Sequence, residues 1–213
     1  MMNKVRKTVS VLLITLLALA MSGCFLASDA PTAFENTVKG YGIKKCEKRS
    51  DLIKAVASLT KEGSGYYVST DEKEVSLQYR TVFNPKKDAR DIQPDEYKYT
   101  AIREKGDVTM HTCAAYVFTF NSKSDAEEVF EIAKDRITSN SRAKANDSGK
   151  KQDYSYAISY QLSGATRTVM AAYLENKSVV YLQGTSYKNE INEFAEYFCK
   201  KMKYVSPNDL IED

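Results

Sequence analysis

His111 and Cys113 stand two residues apart in a segment that reads as a strand, so both side chains leave the same face. An imidazole and a thiol at that spacing could begin a metal site or a cysteine–histidine nucleophile. Zinc asks for three or four nitrogen or sulfur ligands, and His111 is the single histidine of the chain. A nucleophile needs its thiolate to face the imidazole across a cleft, which neighbours on one strand face do not do. A strand histidine with a hydrogen-bonded ring is the stronger reading. Asn146-Asp147-Ser148-Gly149 starts like a calcium loop but lacks the remaining ligand spacing of the EF-hand. There is no glycine-rich phosphate loop, no GxSxG and no HExxH. The expectation is therefore a non-enzyme with no catalytic residue, no metal and no cofactor.

The other cysteines are Cys24, Cys46 and Cys199. Cys46, Cys113 and Cys199 allow three different single bridges outside the cytoplasm. Cys113, in an apolar strand, and Cys199, beside an apolar helix stripe, could meet. Buried free thiols are the preferred reading, because the chain is long enough to bury a core without a staple.

Cys24 has a different setting. Lys4, Arg6 and Lys7 precede an apolar run from Val9 to Met21, and the run ends in Met21-Ser22-Gly23-Cys24. The run is too short to span about 30 Å of hydrocarbon, and it suits a signal-peptide core. This pattern resembles the lipobox of bacterial lipoproteins, with Met21 where leucine is usual. The resemblance implies a lipoprotein signal peptide over 1–23, cleavage after Gly23 and diacylglycerol attachment at Cys24, often with acylation (palmitate) of the new amino terminus. Two acyl chains hold a protein on a membrane where one does so only marginally. An ordinary secretory peptide cut after Ala18-Leu19-Ala20 would instead leave Cys24 a plain thiol.

Residues 24–31 then read as a lipidated tether and 32–213 as a single extracytoplasmic domain. The spacing predicts a helix from Thr32 to Gly40, a strand over Tyr41–Cys46 and a helix capped by Ser50. Strands are expected at Tyr66–Ser69 and Val75–Phe83, then a loop over Asn84–Asp95. A hairpin of Tyr97–Glu104 and Val108–Phe120 follows, then a helix capped near Ser124 with Ala126, Val129, Phe130, Ala133 and Ile137 on one face. Thr138–Gln152 reads as a polar loop. Strands at Asp153–Leu162, Thr166–Leu174 and Ser178–Thr185 precede a last helix, Tyr187–Tyr204. Shifting the chain by 65 residues lays Tyr116 on Tyr181 and the apolar helix positions 126–137 on 191–202. Any two strand–helix units share such spacing, and that reading is favoured over duplication. The fold class expected is α+β, a mainly antiparallel sheet with amphipathic helices on one face. In its general look the mature domain is similar to uncharacterised envelope lipoproteins of Gram-positive bacteria.

The formal charge of +3 comes from the first segment; beyond it 28 basic residues meet 28 acidic ones, so nucleic acid is not an expected partner. Between residues 39 and 54, six basic residues face Glu47 and Asp51. Lys44, Lys45, Lys48 and Arg49 are the candidate membrane-contact residues, placed on two short helices where basic side chains near anionic lipid are favourable. Tyr154, Tyr156 and Tyr160 form one aromatic strand face, which could stack on sugar rings or a peptide, but more simply lies under helices. The function expected is that of a lipid-anchored envelope binding or accessory module with a protein or glycan partner. The alternative is an envelope hydrolase acting on cell-wall glycan through dispersed carboxylates.

Overall fold

The computed structural model describes residues 29–211. Cys24 and the expected signal peptide over 1–23 lie outside these residues.

The chain folds as α1 (Ala30–Gly40), α2 (Arg49–Val56), β1 (Gly63–Ser69), α3 (Glu72–Phe83), a 3₁₀ turn (Lys87–Asp91), β2 (Pro94–Lys105) and β3 (Met110–Phe120). It continues through α4 (Lys123–Thr138), β4 (Ala143–Lys150), β5 (Ser155–Ser163), β6 (Thr166–Glu175), β7 (Ser178–Tyr187), α5 (Glu193–Met202) and a 3₁₀ turn (Pro207–Leu210). One seven-stranded sheet runs in the order β1-β2-β3-β7-β6-β5-β4, with every strand pair antiparallel. The fold is α+β.

Helices cover both faces of this sheet, not one. On one side, Phe34 and Val38 of α1 and Phe194, Phe198 and Cys199 of α5 bury Val117, Ala171, Tyr173 and Leu182. On the other, Val75, Tyr79 and Phe83 of α3 and Val129, Phe130 and Ile137 of α4 bury Tyr97, Phe118, Ala172 and Val179. The physical reason lies in the central strands. β6 is buried at every position from Val169 to Leu174, and β7 at every position from Ser178 to Leu182, so neither face can be left to water. Tyr154, Tyr156 and Tyr160 pack on the α1/α5 side, as the structural reading of that strand requires.

Local chemistry sets the helix starts. Asp29, Asp71, Ser122 and Asn192 cap α1, α3, α4 and α5, each side chain accepting a backbone N–H of the first turn. The N-cap of α2 is Lys48, which makes no side-chain cap hydrogen bond, rather than Ser50. Ala30 and Pro31 are buried in α1, so the fold begins before residue 32. Val75–Phe83 is helix, not strand: Val75, Tyr79 and Phe83 form a buried i, i+4, i+8 stripe, while Leu77 is 60% exposed. Asn146–Gly149 belongs to the edge strand β4 and forms no calcium loop. Tyr41–Cys46 is an irregular link, joined to β1 only by a bridge between Lys45 and Tyr66. Lys44 and Lys45 therefore sit on that link, Lys48 is the N-cap residue of α2, and only Arg49 is helical.

Tyr116 and Tyr181 are direct partners across β3 and β7. Yet β2 flanks β3 on one side, β6 flanks β7 on the other, and α4 and α5 lie on opposite faces. The units β2-β3-α4 and β6-β7-α5 thus have opposite hand. No rotation superposes them, which excludes duplication of that unit.

Candidate functional site

The helices on the α3/α4 side leave one part of the sheet open. Strand register places three transverse rows of residues there. Tyr67, Tyr99, Tyr116 and Tyr181 form the first; Gly65, Ala101, Ala114 and Gln183 the second; Gly63, Arg103, Thr112 and Thr185 the third. The first and third rows are four residues apart, about 14 Å along the strands. Between them lies a shallow groove of about 240 Å³, walled at one end by Val56 of α2. Its floor is small because Ala101 and Ala114 carry only methyl groups, and Gln183 stands exposed on a central strand. Leu52 holds α2 against β1, packed so closely over Gly65 that a Cβ there would strike its side chain.

The tyrosine row supplies an aromatic wall. Tyr99 and Tyr116 stack at 4.5 Å between ring centroids and 8° between planes, and both remain partly exposed. Burial raises both phenols above their ordinary range, so they are neutral donors at physiological pH. Arg49, the first residue of α2, is half-buried, and its Nε is buried without a hydrogen-bond partner. Arg103 is held at the third row by its Nε donating to the Val56 carbonyl at 3.2 Å. Thr112 and Thr185 share a hydrogen bond of 2.6 Å across the strands. The groove thus offers a flat aromatic edge, an amide, hydroxyls and a guanidinium, a set that orients a small polar ligand.

At the same end of the sheet, on the opposite face, a polar cavity of about 510 Å³ is lined by Glu62, Glu104, Asp107, His111, Glu190 and Glu193. His111 is buried and its Nε2 bonds to the Glu190 carboxylate, whose other oxygen accepts the Val108 N–H at 3.0 Å. A side chain at Gly106 would collide with both groups. Glu104 accepts from the Tyr41 hydroxyl at 2.8 Å and from the Phe194 N–H, and Glu62 from the Lys105 N–H. These carboxylates tie the β2–β3 tip to α1, α5 and the β7–α5 link. Among the described residues, no group of three His, Cys, Asp or Glu is arranged to hold a metal ion.

His111 and Cys113 share a strand face but do not work together, since His111 turns to Glu190 while Cys113 enters the core beneath α5. Cys46, Cys113 and Cys199 are all free thiols. Burial pushes the Cys113 thiol well up and the Cys199 thiol up to about 12, so neither supplies a thiolate. Lys44, Lys45 and Lys48 are exposed, whereas Arg49 is half-buried, so the structure separates Arg49 from the other three. The groove was not foreseen from sequence: its residues come from strands that register brings together, and only the abundance of tyrosine hinted at it.

No helix of the described residues is long and apolar enough to cross a membrane. No family model matches the chain, and no curated protein matches it. Among solved structures, the extracellular domain of PknH from Mycobacterium tuberculosis is similar over 73% of this chain and 89% of that one, with 13% identity and a TM-score of 0.41. A GTP binding regulator from Thermotoga maritima is similar over 55% and 70%, with 11% identity and a TM-score of 0.30. Both likenesses are too distant to carry a function across.

Proposed function

We propose that this chain is a lipid-anchored, extracytoplasmic binding module that holds an envelope ligand in the open groove on β2, β3 and β7. One observation carries the reading: a sheet covered by helices on both faces leaves β3 and β7 partly exposed at one place, with Tyr116, stacked on Tyr99, at its wall. Covering the partly exposed Ala114 would bury more apolar surface and stabilise the fold, so leaving it and Gln183 open to solvent is what a binding surface needs and a purely structural domain does not. The hydrolase alternative would draw on the carboxylate cavity of the opposite face, where Glu62, Glu104 and Glu190 already accept hydrogen bonds from the protein.

The test is to fill the groove. Ala114→Arg places a long side chain on the partly exposed floor without entering either core. The variant should keep its thermal midpoint within a few degrees and lose retention on isolated cell-envelope material that the wild type binds. Equal retention by both proteins would remove the groove from the function. Release of reducing sugar from that material by the wild type would favour the hydrolase.

A further inference from the structure

We infer that the groove's ligand is an anionic glycan, a sugar or polyol chain bearing carboxylate or phosphate, with Arg103 as the residue that selects the charge. The inference rests on the binding reading above and adds the ligand class to it.

The first argument is the segregation of charge. Among the described residues that line the groove, Arg103 is the charged one and no carboxylate is present. The acidic side chains at this end of the sheet, Glu62, Glu104, Asp107, Glu190 and Glu193, line the cavity of the opposite face. An anion in the groove therefore meets the Arg103 guanidinium and no like charge among the residues that line it. A guanidinium recognises carboxylate and phosphate equally by its planar fork of donors.

The second argument separates a glycan from a polypeptide. A peptide that binds by strand addition needs a free sheet edge. Here the groove crosses the middle of the sheet, where β3 is paired on both sides with β2 and β7. Recognition falls to side chains alone. A polypeptide laid there would leave its own N–H and C=O groups short of partners. A sugar presents hydroxyls that match Thr112, Thr185, Gln183 and the Tyr116 phenol, and an apolar ring face that packs on Tyr116. The size of about 240 Å³ suits a single sugar unit of a chain passing through an open groove.

The experiment titrates the full-length chain, purified in detergent, with poly(galacturonate), poly(glycerol phosphate), neutral dextran and poly(glutamate), at low and high salt. At least one anionic glycan should bind, more weakly at high salt. Arg103→Gln should weaken that binding about tenfold or more, the worth of a charge-assisted hydrogen bond. Arg103→Lys should retain part of it, and both variants should keep the wild-type thermal midpoint. Preference between the carboxylate and the phosphate polymer identifies the source of the charge. Dextran binding as well as the anionic polymers, with Arg103→Gln unchanged, overturns the charge inference while the groove reading stands. Poly(glutamate) binding as tightly as the glycans overturns the glycan class. Binding of none of the polymers overturns the inference, and the Ala114→Arg retention assay then decides the groove reading separately.

Discussion

Tyr99 and Tyr116 face each other across β2 and β3 with their rings 8° from parallel and 4.5 Å apart at the centroids. The pair stands between the covered part of the sheet, where Tyr97 stacks on Phe118 at 5.8 Å, and the open groove. It closes the core on one side and presents aromatic surface to solvent on the other.

A double-mutant cycle measures this pair. Tyr99→Ala and Tyr116→Ala should each destabilise the fold, and their coupling should be about 0.5–1.5 kcal/mol, the worth of an aromatic pair beyond its buried area. Urea unfolding of the two single mutants and the double mutant gives the number. Strict additivity would mean that the rings do not stack in solution.

Phe130 and Phe194 anchor helices on opposite faces of the sheet, at 3% and 0% exposure. Replacement of either by Ala should cost about 3–5 kcal/mol. Because the sheet lies between them, the milder pair Phe130→Leu and Phe194→Leu should be additive to within about 0.5 kcal/mol. A larger coupling would put both rings in one core, as a single helix layer would require.

The thiols offer a direct check of burial. Alkylation of the folded protein at neutral pH should label Cys46 slowly and spare Cys113 and Cys199, whose thiols burial holds protonated. Peptide mapping reads the sites. Rapid labelling of Cys199 would place it outside the core beneath α1.

These outcomes depend on features that differ in how far they could be read from the residues. The hairpin of β2 and β3, the strands β5 to β7 and the apolar stripe of α4 were legible because each has a clear period and a turn signal. α3 was not, because Val75, Leu77, Tyr79, Thr81 and Phe83 alternate as a strand would while Val75, Tyr79 and Phe83 also fit a helix. Burial settles that ambiguity, and burial depends on tertiary packing. β4 was hidden for another reason: at the sheet edge most of its side chains are exposed, so pairing with β5 makes it a strand and no apolar alternation marks it. The groove joins Arg103, Thr112 and Thr185, which no local pattern connects. By sequence Arg49 belongs with Lys44, Lys45 and Lys48, and only the packing of α2 sets it apart, half-buried where the three lysines are exposed.

The anchor is tested apart from the fold. Metabolic labelling with a fatty-acid analogue should mark the wild type and miss Cys24→Ala, and the variant should leave the membrane fraction. The soluble domain without lipid should be retained weakly by anionic vesicles at low salt. Replacing Lys44, Lys45 and Lys48 by Gln should remove that retention, whereas Arg49→Gln, half-buried in the wild type, should not. Equal fatty-acid labelling of wild type and Cys24→Ala would end the lipoprotein reading.

The most direct measurement of the central claim is site-specific photocrosslinking in intact cells, with the reactive residue placed at Gln183 on the groove floor or at Lys134 on the outer side of α4. A ligand held in the groove predicts a crosslinked adduct from position 183, lost when Ala114→Arg is added, and none from position 134. The same adducts from both positions, or an adduct at 183 that survives Ala114→Arg, would contradict a binding function for the groove.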